Sequence, residues 1–85
     1  MKFEYDEDKD KLLREGRGVS FDDAIEAIAD GRLLFDTLNP NQKKYPGQRI
    51  FIVSINDYPY CIPYEIRGKA VHLVTIIPSR KFKNI

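Results

Sequence analysis

Apolar positions recur along this chain at two spacings, and the switch between them divides it. Phe3 and Tyr5 alternate with Lys2 and Glu4, the period of a short strand over Lys2–Tyr5. Asp6 then offers a cap to a helix over about residues 7–15, where only Leu12 and Leu13 are apolar, and Gly16 and Gly18 supply its stop. A second helix is more strongly marked. Ser20 with Asp23 approximates a capping box, Asp22 and Asp23 suit the positive end of the helix dipole, and Phe21, Ala24, Ile25 and Ile28 fall at i, i+3, i+4 and i+7. That stripe faces a core, and Gly31 ends it.

From Phe35 to Gln48 the turn signals Asn39-Pro40 and Pro46-Gly47 predict a surface connection. Its length is near the limit for mere linkage, which leaves room for a binding role or a short helical turn within it. Beyond it the period becomes that of strands. Arg49–Ile55 reads as one strand, Asn56-Asp57 as a two-residue hairpin turn, Tyr58 to about Ile66 as a second strand, and Lys69–Ile77 as a third after the Arg67-Gly68 turn. Pro59 and Pro63 stand four apart in the middle strand, point their backbones toward the same neighbour, and both lack an N–H. One ladder of that strand is therefore expected to be incomplete, with Pro59 at its start and a bulge or lost pair at Pro63. The predicted class is α+β: a strand, two helices, then a three-stranded antiparallel meander. Eighty-five residues suffice for a single domain over 1–85, divided as 1–34, 35–48, 49–77 and a basic tail at 78–85.

Composition narrows the chemistry. A lone Cys61 and a lone His72 argue against an internal disulfide and against a zinc site of the usual kind, and no cofactor is expected. No signal-like or membrane-spanning apolar run occurs, so a cytoplasmic location without membrane association is expected. Charge is unevenly divided: residues 1–30 carry five Lys/Arg against ten Asp/Glu, whereas residues 31–85 carry nine against three. A net charge of +1 thus leaves room for a basic patch and an anionic partner.

Four segments carry a resemblance. F-E-Y-D-E-D-K at Phe3–Lys9 followed by G-V-S-F-D-D-A at Gly18–Ala24, and later N-P-N-Q-K-K-Y-P-G-Q-R-I-F-I-V at Asn39–Val53 with T-I-I-P-S-R-K at Thr75–Lys81, together resemble the BrnT-like toxins of the RelE-like superfamily. The resemblance covers most of the chain through the order and spacing of the segments. It implies the toxin of a type II toxin–antitoxin system: a ribonuclease that cleaves RNA without a metal, is neutralised by a cognate antitoxin, and meets DNA only through that antitoxin. The family pattern has Lys-His before the glycine, whereas this chain has Gly16-Arg17. Catalysis by an imidazole at that position is excluded.

Metal-free cleavage requires the 2′-hydroxyl to attack its own phosphate while charge on the phosphate oxygens is stabilised, a task that suits arginine's planar, permanently charged fork. Arg80, aligned with the Ser-Arg of the closing motif, is the first candidate, with Arg49 and Arg17 as further cations. His72 is the only imidazole, although its place in an apolar strand equally suits packing. Glu65 and Tyr64 are weaker acid–base candidates. Lys9, Ser79, Lys81, Lys83 and Tyr64 are candidate RNA or phosphate contacts, and of Tyr45, Tyr58, Tyr60 and Tyr64 one is expected to stack on a base. Each charge has a plain structural alternative: a solvated terminus for the tail, a strand-end charge for Arg49, a solvated helix face for Lys9, a helix C-terminal interaction for Arg17. Two other readings stay open. One is a toxin-like fold whose catalysis has decayed, kept as a nucleic-acid or protein binding module. The other is an assembly subunit that accepts a partner strand at a free sheet edge.

Overall fold

A computed structural model describes residues 2–80. Its elements run β1 (Lys2–Glu4), α1 (Glu7–Arg17), α2 (Phe21–Ala29), β2 (Leu33–Leu38), β3 (Arg49–Ile55), β4 (Tyr58–Arg67), β5 (Ala70–Leu73) and β6 (Ile77–Pro78). The α+β class is as expected, but the sheet is larger than a three-stranded meander and is mixed. Its order is β1-β5-β4-β3-β2, with β6 added on β4. β1 runs parallel to β5, and the remaining pairs are antiparallel.

Both helices start where their caps place them. The Asp6 carboxylate accepts from the N–H groups of Asp8 and Lys9, and the Ser20–Asp23 capping box is reciprocal. α1 runs two residues beyond the expected stop, carrying Gly16 inside it. It ends at Gly18, whose φ of 69° is the left-handed cap that glycine adopts without a Cβ clash. Of the two apolar residues of α1, Leu13 is buried and Leu12 is 65% exposed, while Asp10 is buried. The reason is a polar one. Asp10 Oδ1 accepts the Phe21 N–H at 2.7 Å and Oδ2 accepts Arg14 Nε at 3.1 Å, so this carboxylate binds the start of α2 to the body of α1.

One face of the sheet receives Phe21, Ala24 and Ala27 of α2, Leu13 of α1, and Phe51, Val53, Ile62, Tyr64, Val71 and Leu73 of the strands. Ile25 and Ile28, also on the expected stripe, pack at its margin. Tyr5 stacks on Phe21 with centroids 4.8 Å apart, which brings the start of the chain onto the same core.

The expected connection over 35–48 is corrected in its first part: residues 33–38 form β2, an edge strand paired with β3 and bulged between Leu33 and Phe35. Its outward side chains are largely exposed, so β2 shows little of the burial that marks a strand in sequence. Residues 39–48 fold into a compact loop knitted by its own amides. Asn39 Nδ2 donates to Gln48 Oε1 at 2.8 Å, and Gln42 Nε2 donates to the Asn39 and Gln48 carbonyls.

The third strand is also shorter than expected. It stops at Leu73, and the chain leaves the sheet for residues 74–76 before β6 resumes pairing with Tyr60 and Cys61. The prolines explain the gap. Pro59 and Pro63 sit in unbroken register with Ser54 and Ile50 of β3, so the ladder on that side is complete without a bulge. On the opposite side their carbonyls accept from Ser79 and Val74, but neither ring nitrogen has a hydrogen to return. β4 therefore offers β5 and β6 a ladder with two missing donors, and the partner strand breaks between them. Ile76 uses the break to enter the core, where it is fully buried.

The Asp10 contact yields a direct test. Asp10→Ala leaves the Phe21 N–H buried without an acceptor and should destabilise the chain by about 1–3 kcal/mol, seen as a lower urea midpoint at an unchanged slope. An unaltered midpoint would show that solvent replaces the carboxylate.

Candidate functional site

Arg80 follows β6 and is exposed. Its position is set by Ser79, whose N–H donates to the Pro59 carbonyl at 3.0 Å, beside the β3–β4 hairpin. Asn56 and Asp57 hold that hairpin closed with φ of 52° and 63°, the positive values a two-residue turn of this kind needs. Among the described residues Arg80 has no ion-pair partner. Lys81 and Lys83 lie outside the described residues.

Arg17 lies close to the same segment, because its Nη1 donates to the Ile76 carbonyl. The contact fastens the last turn of α1 to the excursion between β5 and β6, supplying a donor to a carbonyl that left the ladder. Arg17 is thus first an anchor, though the residue is exposed and has no carboxylate partner among the described residues.

Arg49 is placed elsewhere. It pairs with Tyr64, whereas Pro59 pairs with Ser54, so Arg49 and the Arg80 end are separated by five strand positions, about 17 Å along the sheet. Arg49 is also occupied. Its Nε donates to Asp36 Oδ1 at 3.2 Å and to the Tyr64 hydroxyl at 3.1 Å, and its Nη2 donates to the Asp36 carbonyl at 3.3 Å. The Tyr64 hydroxyl in turn donates to Asp36 Oδ1 at 2.5 Å. Tyr64 is 3% exposed and its ring stacks on Phe51 with centroids 3.8 Å apart, so it packs as core rather than standing open to a base. Burial, then the hydrogen bond to Asp36, raises the Tyr64 hydroxyl above its ordinary value, which makes it a poor base near neutrality. Asp36 was invisible to a sequence reading that placed it in a connection. L-L-F-D-T-L does not alternate between apolar and polar, so no period-two signal marked the strand.

His72 forms a third, separate group. Its neighbours in register are Glu4 on β1 and Glu65 on β4, and its Nδ1 is buried 3.5 Å from Glu4 Oε1 without a hydrogen bond. Glu65 itself accepts from Arg67 at 3.1 Å. The pairing with Glu65 puts His72 six positions along β4 from Pro59, about 20 Å from the Arg80 end. Lys9 is exposed near the start of α1, in the turn capped by Asp6. The fold therefore places Ser79 and Arg80 at the hairpin end of β4 and Arg49, Tyr64 and His72 toward its other end, with Arg17 fastened at Ile76 between them.

No family model, curated protein or solved structure matches this chain. Among the described residues no helix is long and apolar enough to cross a membrane, and no group of three or more His, Cys, Asp or Glu side chains is placed to hold a metal ion.

The Asp36–Tyr64–Arg49 cluster has a pH signature. A hydroxyl whose value is raised on folding contributes stability that is whole below its ordinary 10.0 and is lost as pH climbs through the raised value. Urea midpoints measured on both sides of pH 10 should fall more steeply in the parent chain than in Tyr64→Phe. Equal slopes would show that Tyr64 titrates normally.

Proposed function

We propose that this chain is the toxin of a type II toxin–antitoxin pair, a BrnT-like protein that acts on RNA in the cytoplasm as a metal-independent endoribonuclease and is silenced by a cognate antitoxin. The observation that carries the reading is the state of Arg80: exposed, without an ion-pair partner among the described residues, and held on a backbone fastened at Ser79 and, three residues before that, by Arg17 at Ile76. A cation without an ion pair among the described residues, on a pinned backbone, suits a phosphate better than it suits fold stability. The motifs that resemble the family run through the same region, and the strand–helix–helix–sheet order agrees with it at the level of class.

In this reading Arg80 faces the scissile phosphate and offers its fork to the oxygens that gain charge as the 2′-hydroxyl attacks. Arg17, fastened at Ile76, adds positive charge to the same segment four residues before Arg80. Neither His72 nor Arg49 takes part, because the register places both at the far end of the sheet. That same observation favours a second reading, in which a toxin-like chain binds RNA or protein without cutting.

Induced expression of the parent chain beside Arg80→Ala separates the two. The expected outcome is growth arrest with loss of total RNA, and a cleavage rate lowered about 10²- to 10³-fold in a variant whose circular dichroism is unchanged. A folded Arg80→Ala chain that still arrests growth removes this residue from the mechanism. Normal growth and intact RNA with the parent chain moves the assignment to the binding module. Phosphate contact has its own readout: Arg80→Ala should reduce the slope of log affinity for single-stranded RNA against log salt by about 0.7.

A further inference from the structure

The cavity of about 230 Å³ that Tyr45, Gln48, Cys61 and Thr75 line under the 39–48 loop is almost wholly apolar. Among the described residues, the buried side-chain atom left without a hydrogen-bond partner lies elsewhere, at Nδ1 of His72.

His72 stands in the middle of a row that crosses three strands. Parallel pairing sets Glu4 of β1 beside it on one side, and antiparallel pairing sets Glu65 of β4 beside it on the other. Val71 and Leu73 point into the core, so His72 and the two carboxylates share the sheet face turned away from the helices. The next row on that face is Lys2, Ala70 and Arg67. Lys69 precedes Ala70 on β5, and residues 74–76 bring no charge.

The two carboxylates are not equivalent. Glu65 Oε1 accepts from Arg67 Nη2 at 3.1 Å and so already has a cation. Glu4 Oε1 lies 3.5 Å from His72 Nδ1 with no hydrogen bond between them, on side chains 40% and 19% exposed. A neutral imidazole has one hydrogen for its two ring nitrogens, whereas imidazolium has one on each. Protonation thus gives Glu4 a charged donor at a distance that a small side-chain movement closes. What such a contact holds is β1, a three-residue strand at the sheet edge that pairs with β5. Tyr5, stacked on Phe21, and Asp6, capping α1, fix the chain just beyond it, so β1 can open locally without taking α1 with it.

We infer that His72 is a proton-operated latch on the first strand: the imidazolium donates from Nδ1 to the Glu4 carboxylate and fastens β1 to the sheet, and loss of the proton releases that fastening. Glu65, held by Arg67, is the lesser partner. The fastening is present at acid pH and is lost as pH rises through the range where an unperturbed imidazole titrates, about pH 6.5.

His72 is the only histidine in the chain, so its ring signals in a nitrogen–proton NMR spectrum of the full-length protein need no further assignment. Those signals are followed between about pH 5 and 8 together with amide exchange of Lys2–Glu4, each exchange rate divided by the intrinsic rate at that pH. Protection of β1 should fall roughly two- to fivefold as the ring loses its proton, in step with the ring signals. Glu4→Gln, which keeps an acceptor but removes its charge, should flatten most of that step. His72→Gln should abolish it, and Glu65→Gln should leave it largely in place. Protection in the parent chain that ignores the titration of the ring overturns the latch, and so does a full step in Glu4→Gln. A step lost in Glu65→Gln but kept in Glu4→Gln overturns it in favour of a contact between β5 and β4. Should His72→Gln fail to fold, the parent and Glu4→Gln decide between these outcomes alone.

Discussion

Two missing hydrogens on the middle strand govern most of what is distinctive in this molecule. Pro59 and Pro63 turn their backbones toward the same side of β4, and there the partner strand cannot complete its ladder. The chain answers with β5, an excursion and β6 in place of one continuous strand. From that single break follow the burial of Ile76, the carbonyl that Arg17 fastens, the cavity under the 39–48 loop, and the place where Arg80 emerges. Unlike a bulge, which would have twisted β4 itself, the break leaves the β3–β4 pairing intact and moves all the irregularity into the last segment.

Charge follows the same division. Most acidic residues lie in the first 30 positions, and several serve the backbone: Asp6 and Asp23 cap helices, and Asp10 binds the Phe21 N–H. Such carboxylates stabilise helix starts rather than forming an acidic binding face. In the second half Arg32, Arg49 and Arg67 are paired with carboxylates, whereas among the described residues Lys43, Lys44 and Arg80 are not. Among the described residues the nearly neutral chain thus keeps positive charge without a carboxylate partner in the 39–48 loop toward one end of the sheet and at Arg80, beside the β3–β4 hairpin, toward the other.

The Asp36–Tyr64–Arg49 cluster does different work. It joins the edge strand β2 to β3 and β4 through a half-exposed ion pair and a buried hydroxyl, at the far end from the break. Exposed ion pairs alone contribute little, about 0–1 kcal/mol, so the stacked and buried Tyr64 ring carries most of the attachment. With Arg49 committed there, the nearby basic character belongs to the fold and not to a ligand.

Local chemistry made much of this legible in residue order alone. Caps at Asp6 and Ser20, the stripe from Phe21 to Ile28, the Asn56-Asp57 hairpin and the incomplete proline ladder each depend on neighbours within a few positions, and each appears in the fold. Only the tertiary structure decided the rest. β2 takes its identity from pairing with β3 across ten intervening residues, because an exposed edge strand has no buried alternation to announce it. The separation of Arg80 from Arg49 and His72, and the union of Tyr45, Gln48, Cys61 and Thr75 around one cavity, were set by strand register and by a chain that leaves the sheet and returns. Periodicity shows which face a side chain takes, but the partner it meets across a sheet depends on alignment between distant segments, and the energy that selects that alignment belongs to the assembled core.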